Sequence, residues 1–558
     1  MPTPANLHLE IQTHGSRHYG LIRSSFRLNG KVQHTNHGRI SGLPLDKLKL
    51  LQAAFRGGVV PHDSPDAFRI LSSCEYGASH ALLQLAKELD LPKLLYSRNE
   101  PWVGCALAMV VGRVVYAGSK LALSNQAKNT ALWELCGVEG AIDVDKHCYS
   151  VMDRLLERQP AIQRALAKKH LQNGHLVLYD ITSSYLEGEY DQSEVVTFGY
   201  NRDAKRGHEQ MVIGLLCNED GCPVGVEVFP GNTQDATTVP DKIAEIQREY
   251  GITQLIFVGD RGMITQANSL KLAGTEGLQT ISALTHRQIV ELLERKVITR
   301  ELFDEKSIAE VLDPDDLKKR YCLCRNPETA RRETQTRKDL LEATRRELAA
   351  IAAAGKKSGQ RRSKPLRKRK GRKISPAEKI GARVGRVLQR YKMGKFVQWS
   401  VKRGTLKWQF DQEKIDAEER FDGCYIIVAD VPPQQMAKAQ VVASYKKLSF
   451  VENAFRNLKT VQLEVRPVYH KKDDRIRSHV FICLLAYYLQ WHATQRLKPL
   501  FQKDGQGKAR EWTFRNVIEH LATIRINRVE SDGVQFNLNT SPDPEHETIL
   551  ALLAGKNA

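Results

Sequence analysis

Three carboxylates occupy sequence settings in which an unpaired charge would be costly. Asp180 follows the apolar run "LVLY", Asp260 follows "LIFVG", and Glu452 lies among valine, leucine and phenylalanine in "YKKLSFVENAFRNLK", residues 445–459. A buried carboxylate needs hydrogen bonds or a cation. A lone aspartate at a strand end ordinarily caps the next turn, but two on strands of one sheet, with a third acid, indicate a shared site.

The segment 445–459 has the apolar periodicity of a helix packed along one face. The residues predicted to form its buried stripe are Leu448, Val451, Phe455 and Leu458. Glu452 falls on the rim of that stripe, and Tyr445, Arg456 and Lys459 lie within about 40° of it on a helical wheel. An ordinary amphipathic helix with a Glu452–Arg456 ion pair is the alternative interpretation.

Two aspartates and a glutamate of this kind can form a site for hard cations. Mg²⁺ and Mn²⁺ prefer carboxylate oxygens, and two such ions about 4 Å apart can activate a water or a 3′-hydroxyl against a phosphodiester. We therefore expect Asp180, Asp260 and Glu452 to be catalytic and to ligate two ions. The tyrosine, arginine and lysine beside the glutamate would then contact the DNA backbone.

The elements that must position these acids are predicted from residue 175 onward. "HLVLYDITSSYLEG" is predicted as a strand, "EQMVIGLLCNEDGCPVGVEVFPGN" as two strands, 236–250 as a helix and "QLIFVGDRGM" as a strand. A hairpin followed by a helical crossover favours a mixed sheet. "FDGCYIIVAD" is predicted to return to that sheet, and helices to dominate from 434. The tail beyond 535 is predicted to be partly disordered apart from a short apolar end.

Other segments lie outside this core. Residues 17–40 are predicted to form a β-hairpin around Asn29-Gly30, and 64–170 to be helical throughout, with Asp66 as a cap. Residues 300–420 are predicted to interrupt the core with the charged helix "RKDLLEATRRELAAIAAA" and a hairpin that carries Trp399 and Trp408.

The charge of the chain indicates a polyanionic partner. Its formal net charge is +20 and its pI about 9.4, which favours nucleic acid over an acidic membrane surface. Residues 355–373 carry eleven Lys/Arg and no acid. Such a run is ordinarily a solvated loop, but here it is also a candidate for phosphate contact. Its proposed DNA-binding residues are Lys356, Lys357, Arg361, Arg362, Arg367, Lys368, Arg369 and Lys370. The basic N-terminal hairpin is equally well explained by DNA contact or by a solvated edge.

Secretion, membrane insertion and disulfide scaffolds are not expected. The start "MPTPANLHLE" has no apolar signal segment. Arg113 interrupts "CALAMVVGRVVYAG", and "VFICLLAYYLQW" is too short to span a bilayer. The ten cysteines include no C-x-x-C pair and are interpreted as reduced core thiols.

Several of these stretches together resemble DDE transposases of the IS4 and IS1634 insertion-sequence type. They are "LVLYDITSSYLEG", "FGYNRDAKRGHEQMVIGLL", "FPGNTQD", "FVGDRGM", "DGCYIIVAD" and "YKKLSFVENAFRNLK" with the following "VRPVYHKKDDRIRSHVFICLLAYYL". The family's helix motif is Tyr, two residues, Arg, three residues, Glu, six residues, Lys. Tyr445, Glu452 and Lys459 fit this spacing, whereas Leu448 occupies the Arg position and Arg456 is a candidate substitute.

The resemblance implies an α/β fold with a ribonuclease-H-like mixed-sheet core and an insertion with helical and β parts. It also implies end cleavage and strand transfer on double-stranded DNA (terminal inverted repeats and target), with Mg²⁺ or Mn²⁺, by a homodimer on paired ends in the prokaryotic cytoplasm at the nucleoid. The expected regions are 1–60 (N-terminal hairpin), 61–170 (helical), 171–300 (core, first part), 301–420 (insertion), 421–500 (core, second part) and 501–558 (C-terminal). A ribonuclease-H-like nuclease or resolvase, and a catalytically inactive transposase-derived DNA-binding protein, are the alternatives.

Overall fold

A computed structural model describes most of the 558 residues. The described ranges are 7–14, 17–28, 31–56, 69–200, 207–272, 274–304, 306–360, 375–402, 404–461, 463, 465–466, 468–501, 512–531 and 534–555. Asp66, the expected helix cap, lies outside these ranges, as do Asn29 and Gly30.

The N-terminal region is a three-stranded antiparallel sheet with a short helix against it. Its elements are β1 Leu7–His14, β2 Arg17–Leu28, β3 Lys31–Ser41 and α1 Leu45–Phe55. The predicted hairpin is confirmed, because β2 and β3 pair down to Leu28 opposite Lys31. The strand β1, which pairs along β2, was not predicted.

The expectation of helix throughout 64–170 is wrong at its start, because Arg69–Glu75 is a strand. The elements here are β4 Arg69–Glu75, α2 Gly77–Glu88, α3 Leu91–Leu95, α4 Pro101–Tyr116, α5 Lys120–Asn125, α6 Leu132–Leu135 and α7 Ser150–His170. The Glu75 side chain accepts from the backbone N–H of Ala78 at 2.9 Å, so the residue that ends the strand satisfies the first turn of α2.

The central region has the predicted order of three strands, a helix and a strand, and it then continues. Its elements are β5 Leu176–Tyr185, β6 Gln210–Asn218, β7 Pro223–Pro230, α8 Asp235–Arg248, β8 Leu255–Val258, α9 Gln266–Leu272, β9 Leu278–Ala283, α10 His286–Glu294, β10 Ala309–Leu312 and β11 Arg320–Arg325. β5, β6 and β8 are buried along nearly their whole length, which explains their continuous apolar runs.

The insertion begins later than residue 301, the predicted boundary, because β10 and β11 belong to the central sheet. The inserted elements are α11 Pro327–Gln360, α12 Pro376–Tyr391, β12 Val397–Lys402, β13 Thr405–Phe410 and α13 Gln412–Glu419. The predicted hairpin is confirmed, with Trp399 opposite Trp408. The charged helix is also confirmed, and it is longer than the motif from which it was predicted.

The remainder returns to the sheet and then adds helices and two further strands. The elements are β14 Cys424–Ala429, α14 Lys438–Lys446, α15 Leu448–Arg456, α16 Asp473–Arg496, α17 Lys498–Phe501, α18 Phe514–Leu521, β15 Arg525–Ser531, β16 Val534–Asn539 and α19 Pro544–Leu553. The expectation of a partly disordered tail beyond 535 is wrong, because β16 and α19 continue the structure there.

Two sheets organise the larger part of the molecule. The central mixed sheet has the strand order β10-β11-β14-β9-β8-β5-β6-β7, and a smaller sheet has the order β16-β15-β4. The smaller sheet joins the segment predicted as a helical region to the C-terminal region, which the sequence patterns had separated. The expectation of a mixed α/β sheet is confirmed.

Helix α16 connects the helical layer to the sheet. It packs against α4, α7 and β7, and residues Ile476 and 478–490 of it are buried. Arg113 on α4 is also buried, with Nη2 3.3 Å from Nε2 of His479 on α16. Among the described residues no single helix is long and apolar enough to cross a membrane; a pair of segments, Pro101–Tyr116 and Lys120–Lys128, reaches that length and composition but is bent by 96°.

Candidate active site

Two neighbouring parallel strands bring Asp180 and Asp260 side by side. β5 and β8 pair in constant register, with Leu176 opposite Ile256 and Leu178 opposite Val258. Asp180 follows Leu178 by two residues within β5, and Asp260 follows Val258 by two residues, just beyond the end of β8. The two acids therefore lie near the same end of this strand pair, and both line one cavity.

Asp180 lies within β5, whose neighbouring residues Tyr179 and Ile181 are buried, but its own side chain is only half-buried. Its Oδ1 accepts from the backbone N–H of Ile181 at 2.8 Å. Asp260 is exposed and starts a turn, in which its carbonyl oxygen accepts from the N–H of Met263 at 2.9 Å. The sheet therefore opens toward solvent where the two acids meet.

Tyr445 links this pair to the C-terminal helices. It lies near the end of α14, and its hydroxyl donates to Oδ1 of Asp260 at 3.1 Å. Burial raises the pKa of Tyr445 far above its ordinary value, and the charge of Asp260, the hydrogen bond to it and the charge of Glu452 raise it further. The phenol thus stays protonated and acts as a donor to the carboxylate.

Helix α15 supplies the third acid. The predicted buried stripe is confirmed, since Leu448, Val451 and Phe455, and Leu458 just beyond the helix, are all buried, and α15 packs against β5 and β6. Glu452 is exposed at the rim of this stripe, as predicted. The expected continuous helix over 445–459 is wrong, because α14 ends before Lys447 and the backbone forms a π-type turn over 457–461.

The three acids line one cavity of about 280 Å³. The other residues of its wall are Asn326, Tyr425, Tyr445, Lys446, Leu448 and Ser449. Within the described part of the chain, the groups of metal-ligating atoms that all lie within 4.8 Å of one another are found elsewhere. The carboxylates therefore line the wall of one shared space rather than converging on a single point.

A larger cleft of about 850 Å³ adjoins this cavity and shares Asp260, Tyr425, Tyr445 and Glu452 with it. Its far wall comes from α11 and from the segment that follows α12. The cationic residues of the wall are Arg261, Arg332, Arg337, Lys392 and Lys395. The same wall carries the acids Glu333, Glu418 and Asp422. The insertion thus faces the three site carboxylates across a groove of mixed charge, an arrangement that sequence patterns did not reveal.

The sequence-predicted basic DNA-contacting residues fall into four groups. Lys459 lies near the acids, and its ammonium donates to Oγ1 of Thr182, two residues beyond Asp180 on β5, at 2.7 Å. Arg456 is exposed at the end of α15. Lys356 and Lys357 belong to the last turns of α11. The remaining basic residues are outside the described part of the chain: Arg361, Arg362, Arg367, Lys368, Arg369 and Lys370.

Two wall residues were missed by sequence reasoning. Leu448, at the position where an arginine was expected, is buried, and exposed Lys446 lines the cavity two residues before it. Tyr425, at the start of β14, lines both the cavity and the cleft. Two sequence features could have indicated them: Lys446 directly follows the motif residue Tyr445, and Tyr425 is an aromatic residue at the start of a predicted strand.

The turn between β6 and β7 supports α15 from outside the cavity. Glu219 in this turn lies 3.4 Å from Nζ of Lys447. Gly221 has φ +82°, and a Cβ built on it would lie 2.7 Å from Cβ of Phe450. Only glycine fits this close approach, so the turn fixes the start of the helix that carries Glu452.

We expect Gly221→Ala to destabilise the protein more than a glycine substitution with similar backbone strain. Gly251 is the control, because its φ is +72° and nothing lies within 4 Å of a built Cβ. Gly221→Ala should lower the free energy of unfolding by about 1–3 kcal/mol more than Gly251→Ala, the cost of overpacking. Hydrogen exchange of the slowest-exchanging amides in both variants measures this free energy. Equal effects would show that the Phe450 side chain moves aside at no cost in free energy.

Comparison with known proteins identifies the central part of the chain. A family model described as the transposase DDE domain matches residues 176–489, which includes β5, β8, the insertion and α15. The three acids, Tyr445 and Lys459 all lie within the matched range. A search of curated proteins found no match.

Proposed function

The chain belongs to the transposase DDE domain family, and we propose that it is an insertion-sequence transposase of the IS4/IS1634 type. It cleaves DNA at the terminal inverted repeats of its element and joins the ends to target DNA. The observation that carries this proposal is that Asp180, Asp260 and Glu452 line one cavity, although they are far apart in sequence. The ribonuclease-H-like core is part of the proposal, supported by a parallel β8 beside the β5-β6-β7 antiparallel strands.

Divalent cations fit the cavity. The three acids offer only oxygen ligands, which suit Mg²⁺ or Mn²⁺, and family members generally use divalent ions. When bound, two such ions would supply an activated water or 3′-hydroxyl and charge stabilisation at the leaving oxygen. We assign the ligand role to Asp180, Asp260 and Glu452.

The protein's own groups orient the acids and the phosphate. Tyr445 donates to one oxygen of Asp260, so the other oxygen can face the cavity. Lys446 lines the same cavity, and we assign it the backbone contact that an arginine at position 448 would otherwise make. Arg456 and Lys459 extend the contact. Arg261, Arg332 and Lys392 line the adjoining cleft, and we assign them contacts with the DNA strand that leaves the cavity.

The central test is cleavage of DNA that carries the element's terminal inverted repeats. Labelled ends should be cut in the presence of Mg²⁺ and not in EDTA, and the new 3′-hydroxyl should join to a second DNA. A nuclease or resolvase would cut without joining, and an inactive DNA-binding protein would bind the ends without cutting. We also propose that a homodimer pairs the two ends, and the mass of the protein–DNA complex tests this stoichiometry. The proposed location is the prokaryotic cytoplasm, at the nucleoid.

Lys459→Ala should lower strand cleavage about 10-fold, the loss expected for one charged hydrogen bond to a phosphate. The matched control is Thr182→Val, which removes the acceptor of Lys459 and keeps its charge. If the lysine serves only to hold β5, both substitutions should reduce cleavage equally. Cleavage rates at physiological salt distinguish a phosphate contact from a structural role. Full activity of Lys459→Ala would show that the lysine is not part of the site.

Deletion of 355–373 should flatten the salt dependence of DNA binding for any sequence. The segment carries eleven basic residues, and the slope of log K against log salt falls by about 0.9 for each phosphate that the protein no longer neutralises. Replacement of the run by an uncharged Gly/Ser segment of equal length controls for chain connectivity. An unchanged slope would show that the run does not bind DNA. Loss of the preference for element ends over other DNA would show that residues 355–373, and not the N-terminal hairpin, provide specificity.

A further inference from the structure

A second group of metal-ligating side chains lies away from the carboxylates. The ligand atoms of His170, Cys222 and His492 all lie within 4.8 Å of one another. They come from three separate elements: the last residue of α7, the turn before β7, and the C-terminal part of α16. Cys222 is fully buried and both histidines are half-buried. The group lies at the closed end of the β6–β7 hairpin, and its three residues do not line the carboxylate cavity.

The geometry is close to that of a metal site. Sγ of Cys222 lies 4.0 Å from Nε2 of His492, while sulfur and nitrogen ligands of one tetrahedral Zn²⁺ ion are about 3.5 Å apart, given bonds of about 2.3 and 2.0 Å. Rotamer shifts of about 1 Å or less would close the group around an ion.

A buried tyrosine orients both imidazole rings. The hydroxyl of Tyr488 lies 3.0 Å from Nε2 of His170, and the Tyr488 ring meets the His492 ring edge-on at 4.6 Å between centroids. Hydrogen bonds and packing that fix the rings of ligating histidines are the usual outer shell of a metal site. The contacts with Tyr488 therefore hold both imidazole rings beside the cysteine.

We propose that His170, Cys222 and His492 bind one Zn²⁺ ion, with a water as the fourth ligand. One thiolate and two imidazoles are donors that favour Zn²⁺ over Mg²⁺, so this site would not compete for the ions of the carboxylate cavity. On binding, a Zn–S bond forms as the Cys222 thiol loses its proton to solvent, the imidazoles bind through their lone pairs, and nothing is oxidised or reduced.

The site would act on the cavity through the β6–β7 turn. The same turn carries Glu219, which pairs with Lys447, and Gly221, which contacts Phe450. A bound ion would tie this turn to α7 and α16, and so fix the support of the helix that bears Glu452. This role concerns stability and does not depend on the proposed transposase activity.

The test uses the full-length protein with Zn²⁺ and Co²⁺ as probes. We expect one Zn²⁺ per chain after dialysis against a weak chelator, and a thiolate-to-cobalt charge-transfer band when Co²⁺ replaces it. Zn²⁺ should raise the thermal midpoint, and EDTA should reverse the rise. A wild-type protein without the thiolate band would overturn the proposal, and this measurement does not depend on the folding of any variant.

Matched variants assign the ligands. Cys222→Ala should abolish the band, whereas Cys217→Ala, at another fully buried cysteine close by, should retain it. Tyr488→Phe keeps all three ligands and should weaken Zn²⁺ binding about 10-fold. A band that persists in Cys222→Ala would overturn the assignment. Binding at the other group, His520, Asp543 and His546, would give Zn²⁺ stoichiometry without a thiolate band and would equally count against it.

Discussion

Asp180→Asn is expected to reduce the rate of DNA end cleavage by about 10³-fold or more, on the order of 4 kcal/mol in the activation barrier. Asparagine keeps the shape and the hydrogen bond to Ile181 but removes the charge that would hold a cation. Binding of DNA ends should remain close to that of the wild type, because the basic surface supplies most of the affinity. Single-turnover cleavage and a binding isotherm, measured on the same labelled end, give the two quantities.

Two further variants make this expectation specific to metal ligation. Asp241→Asn changes an exposed carboxylate on α8 and should cleave at the wild-type rate. Asp180→Cys should be inactive with Mg²⁺ and partly restored by Mn²⁺, which tolerates a sulfur ligand better. Wild-type cleavage by Asp180→Asn would exclude Asp180 from the site, and failure of both variants to bind ends would point to misfolding instead.

Asp422→Ala is expected to destabilise the attachment of the insertion to the core by about 3–5 kcal/mol, the cost of leaving a buried charge unpaired. Asp422 precedes β14 and forms an ion pair with Arg337 on α11, with side chains only 6% and 9% exposed. Thr334 donates to the same carboxylate at 2.7 Å, and Glu333 accepts from the N–H of Gly423 at 2.8 Å. The first turns of α11 are therefore held at the entry to a central strand.

Hydrogen exchange of the α11 amides measures the free energy of local opening, and it is preferable to a global unfolding curve in a chain of this size. Glu291→Ala is the control, because it breaks an ion pair with Arg287 whose side chains are 49% and 89% exposed and should cost less than about 1 kcal/mol. Equal losses of free energy in the two variants would show that burial does not make the Arg337–Asp422 ion pair stronger than an exposed one.

The parts of the site that sequence could predict are those encoded by local pattern. Continuous apolar runs followed by an acid identified the strands of Asp180 and Asp260. A charge at a buried strand is costly unless it is hydrogen-bonded or paired with a cation, so the two acids indicated a site. The apolar stripe of α15 likewise placed Glu452 on an outward edge. What periodicity cannot detect is an interruption of one residue, so the break at Lys447 and the π-type turn at 457–461 were missed.

Long-range pairing accounts for the remaining errors. The apolar residues of Arg69–Glu75 continue the pattern of α2 and so predict a helix, but hydrogen bonds to β15 make this segment a strand. The predicted insertion includes β10 and β11 because both strands are short, and only pairing with β14 shows that they belong to the central sheet. The far wall of the cleft is likewise assembled from α11 and the segment after α12, neither of which indicates a site by itself.

The pairing of β4 with β15 has a consequence for synthesis on the ribosome. Arg525 on β15 donates to Oγ of Ser73 on β4 at 2.8 Å, across 452 residues of chain. β4 therefore emerges early but lacks its neighbour until translation is almost complete, and its unpaired edge is exposed to other chains for that time. A polypeptide that ends before residue 525 would contain all three acids but would lack β15, the neighbour of β4. We therefore expect premature termination of translation to give an aggregation-prone product.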